Sequence, residues 1–254
     1  MKKLLFLILL FSCTYVQSQS VVISQVYGGG GNSSATYNQD FVEIFNATSA
    51  TVDISAWSIQ YASSTGPSGS GNWAVAAIPA NTTLAAGKYY LIALASGSTG
   101  IALPTPDLTN TTINLSGTTG KVALVNSSSA LNGTTACSAS SVVDVLGYGA
   151  SPTCSETSPF AAAGIDNTKS MFRKNGGCLD ANNNSSDFEL LSVLPRSSAT
   201  AANSCGTASP ALTIATYTAF SNTVVGLTSS SQSANLSGAN LTGAPGSITV
   251  TSTS

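Results

Sequence analysis

The chain has 254 residues, 8 Lys+Arg against 10 Asp+Glu, a formal net charge of −2 and no histidine. So few cations exclude phosphate-backbone recognition through a basic face, so no nucleic-acid partner is expected, and they exclude a polybasic membrane anchor. The lack of histidine excludes Ser-His-Asp and Cys-His catalysis, His-ligated metal sites, and the side chain best suited to proton transfer near neutral pH.

In chain order, Lys2 and Lys3 precede an apolar run, residues 4–11, that is too short to span a bilayer, and the polar VQSQS follows. This reads as a signal peptide over residues 1–20, cleaved between Gln17 and Val21, and so as a secreted or cell-surface protein. Cys13 in LFSC offers a lipoprotein-type alternative, to which Phe11 is a poor fit. No later segment is long and apolar enough to cross a membrane.

VVISQVY (21–27) predicts the first strand, and GGGGNSSATYN (28–38) a flexible loop. The four glycines are not a phosphate loop, because no GK[ST] ending and no helix follow. DFVEIFN (40–46) alternates, with Phe41 and Glu43 opposed to Val42 and Ile44, and NATSAT is a turn. Further strands are predicted over 55–61, 89–94, 121–126, 142–148 and 170–176, with NWAVAAIP between the first two and a loop plus short strand in GCLDANNNSSDFEL. Strands recur with turn signals between them and no segment has a helical period. The fold class is therefore all-β, an antiparallel β-sandwich. Phe41, Ile44, Trp57, Tyr90 and Tyr148 are expected in its core, Trp57 between the sheets.

Residues 198–209 form a Ser/Ala/Asn/Gly linker. The segment 207–254 is β-rich but has few large apolar side chains, and it stops in a strand-like run. It reads as an incomplete second module, implying additional domains of the same polypeptide.

Four cysteines follow the signal peptide, and three pairings are possible. Cys137–Cys154 and Cys178–Cys205 are favoured because each closes a local loop. A zinc site of all four thiolates lacks any CxxC spacing.

Asp40 and Glu43 are the first candidate for chemistry. Three residues apart on a strand they face opposite sides of a sheet, so they do not converge on one bond as a glycosidase pair would. The framework reading is that Asp40 caps the loop while Glu43 lies on the polar face or binds backbone N–H groups. Trp73 and Tyr61 flank a Gly/Ser loop and read as core or loop anchors rather than an exposed aromatic platform. In DANNNSSDFE, Asp180, Asn182, Asn184 and Asp187 could supply oxygens to calcium. The segment lacks the glycine and terminal glutamate of an EF-hand, and an Asx-rich turn is the plainer reading. Arg173 and Arg196 are expected to pair with Asp187 or with carbonyls. No catalytic residue and no cofactor are expected, calcium being the minor alternative.

Taken in order, ISQVYGGGG, DFVEIFN, DISAWSIQY, LAAGKYYLI, KVALV, VVDVLGYG, SMFRKNGGCLDANNNSSDF and LPRSS resemble the lamin tail domain of exported bacterial proteins. The resemblance implies an immunoglobulin-like β-sandwich over 21–206. It implies a non-catalytic module for binding, positioning or anchoring, with an unknown extracellular or surface ligand. The segment from Ser209 resembles the start of a β-sandwich module found in large exported proteins of Bacteroidetes-type bacteria. The nuclear-filament context of lamins does not carry over, because this chain has an export signal and no coiled-coil rod. The alternative is the N-terminal accessory region of a larger extracellular hydrolase, of nuclease or phosphatase type, with its catalytic domain beyond residue 254.

Overall fold

The computed structural model describes residues 20–67, 71–134, 136–161 and 163–205, together with the backbone of 211–214 and 236–239. The expected signal peptide and Cys13 lie outside the described residues. The strands are β1 (Val21–Tyr27), β2 (Gln39–Asn46), β3 (Val52–Asp53), β4 (Ser58–Ala62), β5 (Ala74–Ala77), β6 (Thr83–Leu84), β7 (Tyr89–Ser96), β8 (Leu108–Thr109), β9 (Gly120–Val125), β10 (Val142–Tyr148), β11 (Lys169–Arg173) and β12 (Phe188–Ser192). A single helical turn, α1 (Asn184–Asp187), precedes β12. The chain divides into two units, Met1–Cys205 and Gly206–Ser254, and in the second β13 (Ala211–Ile214) pairs with β14 (Leu236–Ala239).

The first unit is an immunoglobulin-like β-sandwich. One sheet has six strands in the order β12-β11-β1-β2-β7-β8, and the other has four in the order β10-β9-β4-β5. Every pairing in them is antiparallel except β7 with β8. Between the sheets, Ile23, Val26, Val42, Ile44, Tyr90, Ile92 and Met171 of the larger meet Ile59, Ala76, Val122, Leu124, Leu146 and Tyr148 of the smaller. Each such buried side chain contributes about 1.5–3 kcal/mol.

Both outer faces are covered as well. Over the larger sheet, Val22, Phe45 and Tyr89 pack with Cys178 and Cys205, while Tyr27, Phe41 and Leu91 pack with Val193. Over the smaller sheet, Ala123, Val125 and Val145 pack with Trp73, Leu131 and Cys154. The two disulfides, Cys137–Cys154 and Cys178–Cys205, pin these covers, with Cα–Cα distances of 5.9 and 5.3 Å. The pairings are those that the local loop lengths favour. Strands buried on both faces need no polar side, which is why VVISQVY and YYLIAL read as nearly continuous apolar runs.

Three sequence expectations change. Trp57 is not inter-sheet core: it is half-buried, in the turn before β4, and packs on the core's rim. Ala56 takes φ +59° there, so the strand begins at Ser58 rather than Ser55. Phe41 keeps its place as a fully buried core residue, on the outer side of β2 against Val193. The glycine loop is packed rather than flexible, since a Cβ on Gly30 would lie 2.0 Å from the Gln39 carbonyl carbon.

Candidate functional site

Asp40 and Glu43 do face opposite sides. Asp40 lies on the core side, with Oδ1 accepting the Gly30 N–H at 2.9 Å and Oδ2 the Leu115 N–H at 2.9 Å. It ties the glycine loop to the segment before β9. Burial pushes its carboxyl up to about 7, against the lowering effect of those two N–H groups. Glu43, on the outer side, is fully buried rather than on a solvent face. Its carboxylate accepts the Ser24 hydroxyl at 2.5 Å, the Arg196 backbone N–H at 2.7 Å and Arg196 Nη2 at 2.7 Å. Burial pushes Glu43 up, and its hydrogen bonds from Arg196 oppose that. The two carboxylates share no partner and form framework.

The densest ionisable cluster lies elsewhere, around Arg173 at the end of β11. The β1–β11 ladder pairs Gln25 with Phe172 and Val26 with Met171, and the β1–β2 register shifts between Ile23 and Gln25. At Ile23 side chains take the place of a neighbouring strand. The Ile23 N–H donates to Asp144 Oδ2 at 2.6 Å, and Arg173 Nε donates to the Ile23 carbonyl at 2.9 Å. Arg173 Nη2 then bridges both Asp144 oxygens at 2.8 and 2.7 Å. Its Nη1 reaches Asp180 Oδ1 at 3.1 Å and lies 3.7 Å from Asp187 Oδ2. A fully buried guanidinium is tolerable only with such complete pairing.

The expected calcium quartet is split by the fold. Asp180 and Asp187 converge on Arg173. Asp187 Oδ2 also folds its own loop, accepting the N–H groups of Ala181 at 2.8 Å and Asn183 at 3.1 Å. Asn184 is used on the edge of β10: its Oδ1 accepts the Gly147 and Glu156 N–H groups, and its Nδ2 donates to the Val145 carbonyl at 2.8 Å. Asn182 is exposed at φ +53°. A fourth carboxyl of the cluster is Glu156, which sequence reasoning missed. Oxygens of Glu156, Asp180 and Asp187 lie within 4.8 Å of one another. A lone glutamate in SETS, far from DANNN along the chain, carries no signal of this approach.

Burial, and then the Asp144 charge, push the Glu156 carboxyl up to about 9, with Arg173 acting the other way. Burial and the Asp144 charge both favour its protonated form. Glu156 borders a cleft of about 520 Å³, walled by Val142, Val145 and the Cys137–Cys154 disulfide, with Asp144 and Asn182 on its polar side. The three carboxylates are hard-oxygen donors of the type calcium takes, but the guanidinium already sits against two of them. Arg173 faces Asp144, Asp180 and Asp187 at 2.7, 3.1 and 3.7 Å.

The remaining aromatic candidates are anchors. Trp73 is 2% exposed, donates Nε1–H to the Gly133 carbonyl at 2.9 Å, and has Lys121 Nζ 5.1 Å from its ring centroid. Lys121 is itself buried, bonded to the Thr153 hydroxyl at 2.7 Å and to the Gly66 and Thr134 carbonyls. The half-buried Tyr61 accepts the Ser116 N–H at 3.1 Å.

Against known proteins, residues 16–150 match the Lamin Tail Domain family. Among solved structures, a DUF4876 family protein from Bacteroides thetaiotaomicron is similar, with 13% identity and a TM-score of 0.49, over 73% of this chain and 74% of that one. No curated protein matches. The family match stops before β11, β12 and the outer cover, so it includes Asp144 but not Glu156, Arg173, Asp180 or Asp187.

Proposed function

The chain belongs to the Lamin Tail Domain family, a family of non-catalytic immunoglobulin-like domains, and on that premise we propose that it is an exported, non-catalytic β-sandwich module that binds or positions an extracellular partner. The observation that carries this reading is the use of its charged groups. Asp40, Glu43, Asp144 and Asp187 are each committed to backbone N–H groups or to a buried arginine. A carboxylate that fixes the fold is not free to exchange protons with a substrate. The two disulfides support an oxidising destination.

Two assays test the proposal. Full-length chain expressed in a bacterial host is fractionated, and the mature N-terminus is read by mass spectrometry. A mature form beginning between residues 18 and 21 outside the cytoplasm is expected; an unprocessed cytoplasmic chain contradicts export. The purified chain is then incubated with phosphodiester, phosphomonoester and glycoside substrates, and sedimented with cell envelopes. Co-sedimentation without turnover supports the reading. Turnover that disappears in a Glu156→Gln variant would instead make this chain an enzyme.

A further inference from the structure

After β12 the chain crosses the outer face of the six-stranded sheet without forming a strand. This strap, residues 193–203, is held mostly by side-chain contacts and by one backbone hydrogen bond near its end. Arg196 donates to Glu43 from its backbone and guanidinium, and its guanidinium carbon lies 3.9 Å from the Tyr89 ring centroid. The Ser198 N–H donates to Asp107 at 2.9 Å, and Lys88 Nζ donates to the Thr200 carbonyl at 2.7 Å. The Asn203 N–H donates to the Gly87 carbonyl at 2.8 Å. Immediately beyond, Cys205 is bonded to Cys178. Beneath the strap lie Val22, Phe41, Phe45, Tyr89 and Leu91, all buried.

We propose that the strap is a redox-gated cover: a dithiol that opens Cys178–Cys205 releases residues 193–203 from the sheet while the sandwich beneath stays folded. Three observations carry this. No ladder hydrogen bonds cross from the strap to the sheet, so lifting it breaks no strand pairing. The covalent bond lies at the strap's downstream end and closes a 27-residue loop, so it restricts the opened states more than any single polar contact does. Both of its cysteines are half-buried, so a reductant reaches either sulfur of this bond. In the step, one thiolate of the dithiol attacks a cysteine sulfur and its second thiol resolves the mixed disulfide. The Cys178–Cys205 bond takes up two electrons and two protons to become two thiols, and the dithiol becomes a cyclic disulfide.

Arg196 makes the proposal measurable, because trypsin cuts after arginine and Ser197 follows it. Its side chain is 16% exposed in the closed strap. Full-length chain is treated with trypsin with and without dithiothreitol, and the Arg196–Ser197 cut is timed by mass spectrometry. The tryptophan fluorescence of Trp57 and Trp73 reports on the sandwich. Cleavage is expected to quicken roughly a hundredfold on reduction with native fluorescence retained, the factor that loss of such a loop closure contributes to opening. A Cys178→Ser, Cys205→Ser variant should show the fast cut without reductant, and a Cys137→Ser, Cys154→Ser variant should not. Three results overturn the proposal: slow cutting in the first variant, fast cutting in the second, or a cut in reduced wild type that keeps pace with loss of fluorescence. The last comparison decides the matter even if a variant fails to fold.

Discussion

Glu43→Gln removes the anion that faces Arg196 while keeping the volume of the side chain. The guanidinium is then left against Tyr89 and Phe172 with no counter-charge. Losing one partner of a buried pair costs about 3–5 kcal/mol, and the expected loss here is about 3 kcal/mol because Arg196 retains some contact with water. Urea unfolding measures it; a change below about 1 kcal/mol would mean the pair is replaceable. Asp40 and Glu156 give a pH dependence of unusual sign. Their folded carboxyls titrate near 7 and 9, above the ordinary 3.8 and 4.5. The folded state therefore holds more protons than the unfolded state between those values, and stability falls as pH rises through them. Melting temperature should decline from about pH 5 to about pH 9, and Asp40→Asn should flatten the part below 7. A melting temperature that climbs over this range would refute the assignment. Calcium belongs to the same scale. Arg173 already sits against Asp180 and Asp187, so millimolar calcium should leave the melting temperature unchanged. A rise of several degrees, lost in Asp180→Asn with Asp187→Asn, would show that the ion displaces the guanidinium.

The two tryptophans separate the elements. Trp57 sits on a turn and packs on the core's rim, while Trp73 enters the cover of the four-stranded sheet and carries Lys121 over its ring. Trp73→Ala should cost about 3–5 kcal/mol, since it empties a filled site and strips a buried lysine of its aromatic partner. Trp57→Ala should cost about 1 kcal/mol, as for other partly exposed positions. Equal losses in denaturant titrations would contradict this ranking. Strand limits were legible where turn chemistry bounds an apolar run: Val21–Tyr27 and Val142–Tyr148 are as predicted. They were illegible before β4, where Ala56 takes a left-handed conformation that alanine does not advertise. GCLDANNNSSDFEL reads as a loop and short strand, and the strand is β12. Asn183 caps a single helical turn, its side chain accepting the Ser185 N–H, before β12 begins.

The molecule as a whole is built from distant pairings. Gln25 bonds Ser170, 145 residues along the chain, and Arg173 bonds the Ile23 carbonyl, 150 residues away. Such topology closes long loops before contacts compensate, so refolding is expected in milliseconds to seconds or slower. Stopped-flow tryptophan fluorescence after dilution from denaturant checks this, and completion within about a hundred microseconds would contradict it.

What this chain's sequence determined by itself is what short-range physics controls. Apolar runs between Gly, Asn and Ser clusters place the strands. Short loops favour Cys137–Cys154 and Cys178–Cys205 over crossed pairings, and the alternation of a strand sends Asp40 and Glu43 to opposite sides. The resemblance in motif order supplied the family and the sandwich. Tertiary structure alone decided which surfaces are covered. With both faces of the larger sheet buried, polar alternation no longer marks an outside; of the two places the sequence leaves open for Glu43, the polar face or backbone N–H groups, the fold takes the second and makes it the floor beneath Arg196. It also decided that Glu156 joins Asp180 and Asp187, while Asn184 completes the edge of β10 and donates to Glu156 from the same amide. Those choices depend on segments that meet only when the sheets close, and charge and hydrogen-bonding capacity carry no sequence-local record of the partner that will satisfy them.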